Sequence, residues 1–383
     1  MDFTILAEFM DHLTDWRIPG NSCVVYKDRK PVFRYSSGYS DIESKKKMCG
    51  DEIMYMYSAT KPVVCTAAMT LWEKGKFDLD DKLEIYLPEW ADITYRAWDD
   101  NGNFEYLPVP ADRRATVRDL FRMTAGLDYN VNRPALQEAI KKYSPECPTR
   151  EIARALAKDP MCFLPGDHWN YSLCHDVLGA LVEVIADMPL ADYVKKTILD
   201  PLGMKETEFG MSDERRKRMA TLYCFNDDTK SIDREPSQSN WSIFGTKYHS
   251  GGAGITSTVE DMALFTEMMA AGGVSQSGER IIASRTLDLL RSNQLGEQAL
   301  KDVKLRHLVG YGYGLVVRTM MDPAMGGATS PVGEYGWTGA AGAYMMIDPE
   351  NSLAVFYAHH MLNNQEYYTA PRIRNIVYSC LEK

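Results

Sequence analysis

Ser58 and Lys61, in the tetrapeptide Ser58-Ala59-Thr60-Lys61, are the residues best placed to do chemistry. Three positions apart, they share one face of a helix. A hydroxyl beside an amine is one way to turn a weak nucleophile into a competent one. The spacing alone is cheap: at ordinary Ser and Lys frequencies a chain this long holds about one copy by chance. A second copy, Ser44-Lys45-Lys46-Lys47, acts as an internal control. It follows Asp41 and Glu43 in a lysine run with no apolar periodicity, so it reads as a solvated loop whose amines stay hydrated.

The surroundings separate the two copies. Ile53 to Tyr57 lead into Ser58, and Val63, Val64, Ala67, Ala68, Leu71 and Trp72 follow at helical spacing. Pro62 is tolerated only in a first turn, where its missing N–H has no partner to lose. Ser58 is therefore expected at a helix N-terminus, where backbone N–H groups and the dipole stabilise developing negative charge. Gly75 closes that helix as a C′ residue. The competing reading is a plain buried first turn with a lysine that reaches out to solvent.

Two more segments carry chemistry-bearing residues. Tyr171 lies in Pro165-Gly166-Asp167-His168-Trp169-Asn170-Tyr171-Ser172-Leu173, a loop ahead of an apolar helix, where a phenol can reach a cleft. An isolated tyrosine more often packs its ring and hydrogen-bonds its hydroxyl. Glu334-Tyr335-Gly336-Trp337-Thr338-Gly339-Ala340-Ala341-Gly342 enters a strand, and its glycines allow a ligand or another backbone to approach closely. A free N–H there, paired with that of Ser58, would form an oxyanion hole. The bland alternative is a glycine-rich strand edge.

These groups need elements to hold them. With 383 residues, 45% apolar and 25% charged, the chain suits a globular protein with a substantial core. A net charge of −10 disfavours nucleic acid and anionic membrane as partners. Phe3, Ile5, Leu6, Phe9, Met10, Leu13 and Trp16 follow helical spacing with acids and no basic leader, which suggests a packing helix and not a signal peptide. No apolar run is long enough to cross a bilayer. The eight cysteines show no metal spacing and read as reduced thiols of a cytoplasmic protein. Asn21 to Tyr39 alternates around Lys27–Lys30, predicting a hairpin. Thr116 to Met123 predicts a short helix capped by Thr116. Asp176–Met188 and Val259–Met269 predict longer ones. Gly333–Ile347 and Ser352–Met361 predict strands across the turn Asp348-Pro349-Glu350-Asn351. A helix from about Ala370 to Leu381 ends the chain, and Asp92–Arg114 reads as a polar, turn-rich surface excursion. The expected fold is α/β of the α+β type: an antiparallel sheet built from both termini, flanked by helices, with an inserted mostly helical lobe. We place the sheet lobe at residues 1–57 and 245–383 and the helical lobe at 58–244 of one catalytic domain.

Taken in order, the segments resemble the serine β-lactamase and penicillin-binding-protein superfamily, in its class C-like branch. Ile18-Pro19-Gly20 and the hairpin resemble its opening strands, and Ser58-Ala59-Thr60-Lys61 its nucleophile motif. Thr116 to Leu127, ending Thr124-Ala125-Gly126-Leu127, resembles the helix and turn that follow. Pro165-Gly166 with Tyr171-Ser172 resembles the second motif. His249 to Thr258 resembles a glycine-rich segment, and Trp337-Thr338-Gly339 the third motif. The resemblance implies Ser58 as nucleophile, Lys61 as its amine partner and Tyr171 as the proton relay. It also implies an oxyanion hole from the N–H groups of Ser58 and Ala340. Lys61 and Tyr171 titrate as a pair.

The departures matter equally. β-Lactamases of this branch carry lysine where Trp337 stands, and a Tyr-x-Asn second motif where this chain reads Tyr171-Ser172-Leu173. Both changes turn the pocket towards apolar recognition and resemble the esterases of the superfamily. The expectation is a carboxylic-ester hydrolase on a small-molecule ester or amide, with weak or absent β-lactam turnover. Trp337, Thr338, Gly339, Leu173 and His249 are expected to bind substrate, with no metal or cofactor. Alternatives are a β-lactamase or D-alanyl peptide hydrolase, or an acyltransferase to a small alcohol or amine. Arg318 and His249 are candidates to replace the lost cation.

Overall fold

A computed structural model describes residues 1–236 and 244–382. The expected opening hairpin forms from Gly20–Lys27 and Lys30–Asp41, and Asp28 and Arg29 turn with φ of 51° and 64°. Two successive positive φ values give the tight turn whose twist matches its strands. Strand Leu353–His359 pairs antiparallel with Gly20–Lys27 along its full length, Val25 opposite Val355. The eight-stranded sheet therefore joins the two chain ends. Its order is Tyr311–Tyr313, Arg318–Met320, Tyr335–Gly336, Tyr344–Asp348, Leu353–His359, Gly20–Lys27, Lys30–Asp41, Lys46–Lys47, with every pair antiparallel.

Side-chain alternation sends neighbouring residues to opposite faces. Val25 and Val355 join Leu6, Met10 and Leu13 of helix Thr4–Trp16 and Ile373 and Val377 of helix Glu366–Leu381. Val24 and Phe356 face the other way, into the main core with helices Thr60–Glu73, Cys174–Ala186 and Val259–Ala270. The central strands read as continuous apolar runs because helices cover both faces. Helix Thr60–Glu73 is buried all round from Thr60 to Leu71, as a helix that is apolar on every side must be. It ends as expected at Gly75 (φ 64°): the Gly75 N–H donates to the Trp72 carbonyl and Lys76 N–H to Leu71.

Three expectations are corrected. Gly333–Ile347 is not one strand; Tyr335–Gly336 and Tyr344–Asp348 pair with each other, with Tyr335 opposite Ile347. The reason is the glycine run: Gly336 and Gly342 have φ of 155° and 95°, and the Gly342 N–H closes a turn onto the Gly339 carbonyl. Asp92–Arg114 holds a two-stranded hairpin, Thr94–Trp98 with Phe104–Pro108, that exposes Trp98, Phe104 and Tyr106. The last helix starts a turn early, at Glu366, with Pro371 inside it. Strand Ile255–Ser257 lies between Met54–Tyr55 and Glu208–Phe209, tying the chain before Ser58 to the glycine-rich segment. Among the described residues no cysteine forms a disulfide. Among the described residues no helix is long and apolar enough to cross a membrane.

Candidate active site

The chain leaves strand Met54–Tyr55 through Tyr57, whose φ of 44° is unusual for a residue with a side chain. That turn lifts Ser58 into a short 3₁₀ turn, Tyr57–Ala59, which feeds helix Thr60–Glu73. Ser58 therefore precedes the α-helix by two residues, a refinement of the expected N-terminal position. The Met56 N–H donates to the Ile255 carbonyl, and Ile255 N–H to the Thr60 hydroxyl, so the glycine-rich segment clamps both sides of Ser58.

Lys61 is fully buried, and its Nζ donates to Ser58 Oγ at 3.1 Å, to Tyr129 Oη at 2.7 Å and to the Gly252 carbonyl at 2.8 Å. The expected hydroxyl–amine contact is present, and the snorkelling alternative is not what forms. The control copy at Ser44–Lys47 is exposed and runs from a turn into edge strand Lys46–Lys47. Tyr129 escaped the sequence reading. The residue is 41% exposed, while its hydroxyl turns inward onto Lys61. Burial of that hydroxyl, then the neighbouring Tyr171, push the Tyr129 phenol well above its ordinary range, so it receives the lysine proton as a neutral acceptor.

Tyr171 stands beside this group: its ring centroid is 4.7 Å from Lys61 Nζ and 5.5 Å from the Tyr129 ring. Its hydroxyl accepts a 3.0 Å hydrogen bond from Trp337 Nε1. Trp169, Tyr171, Tyr313 and Trp337 form one aromatic group with centroids 5.3–6.1 Å apart. The two tyrosine loops are laced together: the Asn170 N–H donates to the Met123 carbonyl, Asn170 Nδ2 to Leu127 and Leu173 N–H to Asp128. Upstream, Thr116 caps helix Val117–Phe121 in a reciprocal box with Asp119, which also accepts from Arg122 and Thr124.

The third motif reaches the same place. A Cβ on Gly339 would lie 2.3 Å from the Met56 carbonyl oxygen, so this turn presses on the backbone two residues before Ser58. Thr338 is half-buried and Ala340 is exposed on the turn. Two expected binding residues, Leu173 and His249, and the candidate cation Arg318 are placed otherwise. Leu173 is 3% exposed and belongs to the core, because it caps the buried helix Cys174–Ala186. His249 packs against Phe209, holds Thr149 Oγ1 through its N–H, and sits 3.8 Å from Glu183 in a separate cavity. Arg318 is 2% exposed and bonded to Glu334 at 3.1 Å, which fixes its charge away from any substrate. A cleft of about 590 Å³ between Ser22, Arg34, Cys49 and Glu260 lies apart from all these groups.

The chain is similar to several known proteins. The sequence profile of the family described as Beta-lactamase matches residues 5–377. An uncharacterised Mycobacterium tuberculosis protein is 29% identical over 347 residues, covering 89% of this chain and 85% of its own. Esterase EstB of Burkholderia gladioli is 26% identical over 383 residues, covering 94% and 90%. The solved structure of EstCE1, described as a hydrolase with promiscuous acyltransferase activity, superposes with a TM-score of 0.78 at 24% identity, covering 97% of each chain.

Proposed function

The chain belongs to the Beta-lactamase family of serine hydrolases, and from that premise we propose that it cleaves carboxylic esters through an acyl-serine on Ser58. The observation that carries this reading is the fully buried Lys61 Nζ, 3.1 Å from Ser58 Oγ. Ser58 Oγ attacks the ester carbonyl while its proton passes to the phenolate oxygen of Tyr171, beside the Lys61 ammonium. Tyr171, steadied by the Trp337 N–H, returns that proton to the departing alcohol. The N–H groups of Ser58 and Ala340 receive the negative oxygen of the tetrahedral intermediate. Water then attacks the acyl-serine, releasing the acid and restoring Ser58.

Trp337 sets the substrate class. Its one N–H is committed to Tyr171, so the third motif offers no cation to a β-lactam carboxylate. Arg318, bonded to Glu334, does not replace it. A missing charge-assisted contact is worth roughly 1.5–3 kcal/mol, or about one to two decades in specificity. Neutral esters are therefore favoured. EstB, named as an esterase, is consistent with this reading. The aromatic walls around Tyr171 also suit an organic acceptor alcohol, which favours acyl transfer as the second reading. The test is kcat/KM for p-nitrophenyl butyrate and for a chromogenic cephalosporin, with Ser58→Ala as blank. A Ser58-dependent preference for the ester by about a hundredfold supports the assignment. Equal or better cephalosporin turnover overturns it.

A further inference from the structure

Asp176 is a buried carboxylate that the reaction above does not use. It lies in the first turn of helix Cys174–Ala186 and is 2% exposed. Its Oδ1 accepts from the Tyr248 hydroxyl, from Ser250 Oγ at 2.6 Å and from the Gly252 N–H at 3.4 Å. Burial, then Asp176 itself, push the Tyr248 phenol well up, so Tyr248 stays a donor. No hydrogen bond within the described residues reaches Oδ2. A Cβ on Gly252 would lie 2.6 Å from that oxygen and 3.3 Å from Lys61 Nζ, so carboxylate and ammonium face each other across one glycine. The three acceptors of Lys61 are all neutral oxygens. His175, next to Asp176, brings no charge: burial and then the Lys61 charge lower it to about 3.

We propose that Asp176 is a positioning residue for Lys61: it fastens the Gly252 loop whose carbonyl receives the ammonium and supplies the buried negative charge opposite it. The proposal rests on the acyl-serine reading. Only a residue without Cβ fits between the two groups, which accounts for glycine at position 252. A charge held at this distance steadies Nζ without forming an ion pair that would draw it away from Ser58.

Asp176→Asn tests this, because the amide oxygen still accepts from Tyr248, Ser250 and the Gly252 N–H while the charge is gone. The readouts are kcat and KM on p-nitrophenyl butyrate and the rate of Ser58 labelling by a fluorophosphonate, against Ser58→Ala as blank. The expected result is a kcat lower by about ten- to a hundredfold, KM within about twofold, and labelling slowed in parallel. Wild-type kcat and labelling in a folded Asp176→Asn overturn the proposal and leave the acyl-serine reading standing. Absence of any Ser58-dependent turnover in the wild type overturns both. If Asp176→Asn does not fold, Ser250→Ala decides: labelling about three- to tenfold slower supports the role, and an unchanged rate overturns it.

Discussion

Two phenols flank Lys61, and their partners give them different work. Tyr129 holds the ammonium at 2.7 Å, whereas Tyr171 takes the Trp337 N–H at 3.0 Å. Tyr171→Phe should therefore lower kcat by about two to four decades, the range of a lost proton relay. Tyr129→Phe should cost about tenfold, since Ser58 and Gly252 still hold the amine. Equal losses in stopped-flow kcat would contradict this division. Trp337→Phe keeps the ring but removes the donor, and should lower kcat by about three- to thirtyfold with little change in melting temperature. Ser58 and Lys61 were legible because a contiguous turn fixes their contact. Tyr129 and Asp176 were not, because no spacing in the sequence ties either of them to Lys61. Long-range packing, invisible to spacing, turns both towards Lys61. Leu173 and His249 lie away from Lys61 for the converse reason, since motif position says nothing about which way a side chain faces.

The element that presents the third motif is a turn between two short strands, and its glycines are what let it close. At Gly342 a Cβ would lie 2.0 Å from His359 Nε2, on backbone with φ 95°. Gly342→Ala should destabilise by about 2 kcal/mol or more and lower activity, because the turn must shift off Met56 and Ser58. A calorimetric melt within a degree of wild type would contradict the tight packing. Thr116→Ala removes a cap and should cost about 1 kcal/mol with the site intact. Periodicity made the long helices legible to within a turn. It failed at Gly333–Ile347 because a strand pattern does not reveal a reversal that only positive φ permits.

At the scale of the molecule, burial holds the imidazoles of His175, His359 and His360 neutral. Burial lowers His175 and His359 to about 3 and His360 to about 4. His360 also ties distant segments: its Nε2 accepts from the Tyr55 N–H, and its Nδ1 pairs with the Ala220 carbonyl. Each imidazole takes up its proton on unfolding, so the stability it contributes is complete above about pH 6.5 and is lost as pH falls towards 4 or 3. Between these limits each group contributes a slope of about 1.4 kcal/mol per pH unit. Urea titrations from pH 6 to 5 should show about three protons taken up on unfolding, and His360→Asn about one fewer. A flat profile would contradict the buried, neutral assignment. The sheet joining both termini was legible because its strands are long and near the chain ends. The small sheets were not, since strands of two or three residues carry no period.

Trapping the covalent intermediate tests the acyl-serine most directly. Wild-type protein mixed with p-nitrophenyl butyrate, quenched in acid within the first turnover and digested, is read by peptide mass spectrometry. The expected result is one butyryl group on the peptide containing Ser58, absent from Ser58→Ala and strongly diminished when Lys61 is replaced by methionine. Turnover of the ester with no acyl group on Ser58, or with the group on another residue, would contradict the account.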